Sequence, residues 1–76
     1  MNNELYFNYK GESQKIYDLL IENGFDDNEF EVVQESYDED NIWNSYSINY
    51  NDNFYDENDF IELLKSEFGD NIIFIL

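Results

Sequence analysis

Large apolar residues recur along the chain with two different periods, and the switches between them mark a succession of strands and helices. The aromatic-rich run 5–9 places Leu5, Phe7 and Tyr9 on one side, the period-2 pattern of a strand with one buried face. From Glu12 the period lengthens to that of a helix: Ile16, Leu19 and Leu20 lie one turn apart, and Gly24 stands where a left-handed cap closes it, with Phe25 packing back. Alternation returns over 29–36, where Phe30 and Val32 oppose Glu31 and Glu35. It returns again over 42–50, where Ile42, Tyr46, Ile48 and Tyr50 oppose Trp43, Ser45, Ser47 and Asn49. Between these strands the acids and Asn of 37–41 favour a turn, which predicts a hairpin.

The run Asp56-Glu57-Asn58-Asp59 places carboxylates at the positive end of a helix dipole and supplies caps for free backbone N–H groups. Phe60, Leu63, Leu64 and Phe68 then form a core stripe, Gly69 stops the helix, and the nearly all-apolar 71–76 reads as a strand covered on at least one face. The order β-α-β-β-α-β predicts a ferredoxin-like α+β fold: a four-stranded antiparallel sheet with two helices on one face. In that fold the loops at 26–29 and 51–59 emerge at one end of the sheet and the 37–41 hairpin at the other.

A chain of 76 residues supports one hydrophobic core, so residues 1–76 are expected to form a single domain. Aromatics make up 20% of it and each buries about 150–250 Å², which supplies that core. This content also argues against the disorder that high acidity otherwise suggests. Without Cys or His there is no disulfide, no thiolate site and no imidazole base or zinc ligand. No Asp-x-Asp/Asn-x-Asp/Asn-Gly loop is present, since Asp38-Glu39-Asp40 lacks the glycine, so neither a metal nor another cofactor is expected. Paired acids can cleave glycosides, but a domain this small has little room for a sugar cleft, and an enzyme is not expected. The beginning Met1-Asn2-Asn3-Glu4 lacks the basic and apolar regions of a signal peptide, and no apolar run is long enough to span a bilayer. A cytoplasmic location is the expectation.

Charge changes the picture most. Nineteen acids against Lys10, Lys15 and Lys65 give a net charge of −16, which excludes nucleic acid and anionic lipid as direct ligands and points to a cationic protein partner. Solubility alone asks for a net charge of only about 2–8 in a small domain, so the excess, with its self-repulsion, calls for a functional reason. The Asn-, Ile-, Tyr- and Phe-rich chain without Ala, Arg or Pro reads as AT-rich coding bias and not as salt adaptation. The acids cluster. Asp26, Asp27 and Glu29 share one predicted pole with Asp52, Asp56, Glu57 and Asp59; Asp38, Glu39 and Asp40 form a second group; Asp18, Glu22, Glu62 and Glu67 add charge to the outer sides of the helices. For any single acid a polar loop or helix cap is sufficient explanation; the aggregate favours a surface that stands in for phosphates before Lys- and Arg-rich grooves. On the other sheet face Tyr6 and Trp43, among Ser45, Ser47 and Asn49, serve packing or anchor a protein partner, because no basic surface accompanies them to hold an RNA backbone.

Small size, extreme acidity, an Asn/Tyr/Asp-rich AT-biased sequence and α/β patterning together resemble the phage-borne DNA mimics, the anti-CRISPR and anti-restriction proteins. The resemblance spans the whole chain and is compositional, so it transfers no individual residue. It implies a stoichiometric inhibitor that occupies the nucleic-acid channel of a defence nuclease in the host cytoplasm. The alternative is an antitoxin or immunity protein that plugs a basic nuclease toxin, with charge concentrated around a few anchors and not spread along an elongated face. A third option is docking through the apolar edge strand at 72–76.

Overall fold

The computed structural model describes residues 3–36, 40 and 42–76. Its elements are β1 (Asn3–Tyr9), α1 (Ser13–Glu22), β2 (Phe30–Gln34), β3 (Asn44–Tyr50), α2 (Glu57–Phe68), a short 3-10 turn (Gly69–Asn71) and β4 (Ile72–Ile75). The strands form one sheet in the order β2-β3-β1-β4, and every neighbouring pair is antiparallel. The result is an α+β domain with a four-stranded antiparallel sheet and two helices.

Period 2 decides what is buried. Leu5, Phe7 and Tyr9 of β1 share a face with Tyr46, Ile48 and Tyr50 of β3, Phe30 of β2 and Ile72 of β4, and all are buried. Against that face α1 packs Ile16 and Leu20, and α2 packs Phe60 and Leu64, so both helices cover the same side. Aromatic rings knit the layers: Tyr50 meets Phe60 at 5.0 Å between centroids, and Tyr9 meets Phe68 at 4.6 Å. Fully burying a side chain of this class contributes roughly 1.5–3 kcal/mol, which is how so acidic a chain still folds.

Local signals act where the sequence places them. At the end of α1 the Gly24 N–H donates to the Ile21 carbonyl and the Phe25 N–H to the Leu20 carbonyl, a Schellman pair that requires the left-handed φ of 86° at Gly24. Phe25 is thereby turned onto Phe60, 4.9 Å between centroids. At the start of α2 the Asp56 carboxylate accepts from the Asn58 and Asp59 N–H groups while the Asp59 carboxylate accepts from the Asp56 N–H, a reciprocal capping box.

Two expectations are corrected. Ile42 does not join the inward row of β3; it precedes the strand and is exposed, because pairing with β1 ends at Tyr9–Asn44. Ser47 lies on the helix-free face but is not wet there: it is buried, with its hydroxyl donating to Glu35 at 2.6 Å. Of the predicted 37–41 turn, only residue 40 lies within the described residues.

Candidate functional site

Strand register sets which loops meet. Asn3, Tyr50 and Phe30 lie side by side at one end of the sheet, so the segment entering β2 and the segment leaving β3 emerge together there. This end collects Asp26, Asp27, Glu29, Asp52, Asp56, Glu57 and Asp59; Glu29 is half-buried and the others are exposed.

Hydrogen bonds hold these carboxylates in place. The Asp26 carboxylate accepts from the Asn28 N–H at 2.9 Å, and the Asp27 carboxylate from the Tyr17 hydroxyl at 3.2 Å. That bond, followed by burial, holds the Tyr17 phenol above its ordinary pKa, because the proton it shares is hard to remove beside a carboxylate. Glu29 accepts from the Asn51 side-chain amide at 2.8 Å, while the Asn51 N–H donates to the Glu29 carbonyl at 3.0 Å. The Asn51 carbonyl then accepts from the Phe54 and Tyr55 N–H groups at 3.0 and 3.1 Å, folding 51–55 into a tight turn. Across the gap, the Tyr55 hydroxyl accepts from the Asp26 N–H and its ring lies 4.8 Å from that of Phe25. Two separate loops become one rigid acidic pole.

The basic residues are elsewhere. Lys10 follows the far end of β1, Lys15 sits in the first turn of α1 and Lys65 in the last turn of α2, all toward the opposite end of the molecule. The pole is therefore negative without internal compensation from lysine. Asp18, Glu22, Glu62 and Glu67 are exposed on the helices and carry the charge along the body, which measures 37 × 22 × 22 Å. At the far end Asp40 is exposed; Asp38 and Glu39 lie outside the described residues. Among the described residues no group of three or more carboxylates is arranged to hold a metal ion, and no helix is long and apolar enough to cross a membrane.

Sequence reasoning missed Phe54. It is 61% exposed at the tip of the 51–55 turn, within the acidic pole and beside Tyr55. The signal was present: a large aromatic inside a polar run, outside any periodic stripe, has no core position to occupy. Tyr6 is exposed on the open sheet face, whereas Trp43 is half-buried with the Lys10 ammonium 4.8 Å above its ring centroid.

No family model, curated protein or solved structure matches the chain. The functional reading therefore rests on this geometry.

Proposed function

We propose that the protein is a stoichiometric, non-enzymatic inhibitor that mimics DNA and blocks the nucleic-acid channel of a defence nuclease of the anti-CRISPR or anti-restriction type. The observation that carries this reading is that surface carboxylates run the length of the body, from the seven at one end through Asp18, Glu22, Glu62 and Glu67 on the helices to Asp40 at the other, with the three lysines kept away from the acidic pole. A net charge of −16 on a body 37 Å long compares with about 22 phosphates on the same length of duplex at one per ~1.7 Å. Because the Asp26, Asp27, Glu29, Asp56 and Asp59 carboxylates accept hydrogen bonds from the scaffold, little ordering entropy is lost when they meet Lys and Arg side chains. The strand order supports a ferredoxin-like scaffold beneath this surface. Read from its other edge it is β4-β1-β3-β2, two βαβ units each split by a strand of the other.

A second reading is favoured by Phe54. An exposed aromatic at the tip of the 51–55 turn, in the end of the molecule that carries the acidic pole, is an anchor of the kind an immunity protein uses against one basic nuclease toxin. Retention of partners from a lysate of the organism carrying the gene, followed by displacement with duplex DNA, separates the two. A mimic releases its nuclease effector to DNA and depends little on Phe54. An immunity protein holds a small toxin and loses it when Phe54→Ala is introduced. A partner indifferent to both DNA and salt contradicts the charge mechanism altogether.

A further inference from the structure

Both helices cover one side of the sheet, so residues of the other parity form an open face. Register arranges it in rows: Glu31, Asn49 and Glu4 lie abreast, and Val33, Ser47, Tyr6 and Ile75 form the next row. The β4 side is apolar and uncovered, with Tyr6 42%, Ile73 53% and Ile75 55% exposed. Acids edge that patch. Glu4 accepts a hydrogen bond from the Tyr6 hydroxyl, and Glu35 accepts one from Ser47. Between the two sides runs β3, whose outward residues Ser45, Ser47 and Asn49 are small or short, so it forms a low floor.

We propose that this open face is a second docking surface, and that its occupant is a basic amphipathic helix of a protein partner. The helix lies over β3 with its apolar stripe on Tyr6, Ile73 and Ile75 and its Lys and Arg side chains toward Glu4, Glu31 and Glu35. Three strand spacings, about 14 Å, separate β4 from β2, enough for a helix about 10–12 Å across with its side chains. Charge complementarity selects the partner. A second copy would bring another −16 and set the same three glutamates against themselves, and nucleic acid or anionic lipid would be repelled. The inference rests on the reading that the partner is basic, and it uses a surface distinct from the acidic pole.

Amide NMR of the labelled protein tests it with two probes: a synthetic Leu/Lys peptide of helical periodicity, and oligolysine. The expected result is that the Leu/Lys peptide shifts Tyr6, Ile73 and Ile75, while oligolysine shifts the 26–29 and 51–59 loops. The Ile73→Ser/Ile75→Ser variant should weaken the Leu/Lys peptide about tenfold and leave oligolysine binding unchanged. Glu31→Gln, at an exposed position that leaves the apolar patch and the Ser47–Glu35 bond intact, should weaken the same peptide without disturbing the fold. Shifts from the Leu/Lys peptide confined to the acidic loops overturn the docking face while leaving the charge reading standing. Failure of both peptides to bind overturns both. Sedimentation showing a dimer that Ile73→Ser/Ile75→Ser dissociates makes the face a self-interface and overturns the proposed occupant.

Discussion

The Tyr55 hydroxyl accepts a hydrogen bond of 2.8 Å from the Asp26 backbone N–H, joining residues 29 positions apart in the chain. It joins the two acidic loops at their outer ends, beside the Glu29–Asn51 hydrogen bonds and the Phe25–Tyr55 ring contact, and it fixes the backbone at Asp26 against the 51–55 turn. Tyr55→Phe keeps the ring stack on Phe25 and removes only this acceptor. Denaturant unfolding should show a loss of about 0.5–1.5 kcal/mol. Binding of a basic partner should weaken although the charge is unchanged, and unaltered binding would show that the two loops act independently.

Asp56 separates structural from electrostatic roles. Its carboxylate caps α2, so Asp56→Ala should cost about 0.5–2 kcal/mol in thermal or denaturant unfolding. Asp56→Asn retains an acceptor oxygen and should recover most of that stability while still removing one charge. If both variants unfold alike, the capping box contributes little, and the loss lies with the helix dipole.

Self-repulsion should be visible in the free protein. With −16 to screen and the lysines gathered at one end, added NaCl shortens the Debye length from about 10 Å at 0.1 M to about 3 Å at 1 M. The melting temperature is expected to rise over that range. A fall would mean that charge pairing, and not repulsion, dominates the folded surface.

Alkaline pH should unfold the domain through its buried tyrosines. Burial raises the phenol pKa of Tyr46, with the Glu12 charge adding to it; burial likewise leads for Tyr9 and Tyr50, where Glu67 and Glu57 contribute. The folded state holds these protons more tightly than the unfolded chain, whose phenols titrate near pH 10. The stability they confer is complete below that value and is lost as pH climbs through the raised folded values. Circular dichroism and phenolate absorbance recorded together should show unfolding and Tyr ionisation as one cooperative step. Tyrosines that ionise fully before the structure is lost would contradict this.

Much of this architecture was legible in the sequence because its signals are local. The Leu5-Phe7-Tyr9 alternation, the Ile16-Leu20 and Phe60-Leu64 stripes and the stops at Gly24 and Gly69 each depend on neighbours within a turn or two, and each element appears where its period ends. The meeting of the acids of 26–29 with those of 52–59 followed once the strand order was guessed, since register carries both segments to one end. What escaped was set by tertiary contact. Ile42 continues the alternation of β3 in sequence, but β1 has no residue opposite it within the sheet, so it stays exposed. Ser47 reads as wet by polarity alone, yet it is buried between Val33 and Tyr6 of the neighbouring strands, with its hydroxyl on Glu35. Phe54 was hidden for the opposite reason: an aromatic count treats every ring as core material, and this one faces outward.

DNA mimicry is tested by comparing two immobilised proteins exposed to the same lysate of the organism that carries the gene. One is the native chain; the other carries Asp26→Asn, Asp27→Asn, Asp52→Asn and Glu57→Gln, which remove four of the pole's seven charges and leave the Asp56–Asp59 capping box intact. The native protein should retain a nucleic-acid-binding effector that both duplex DNA and rising salt displace, and the variant should retain far less of it. Equal retention by both proteins, or a partner that DNA does not displace, would contradict the mimicry.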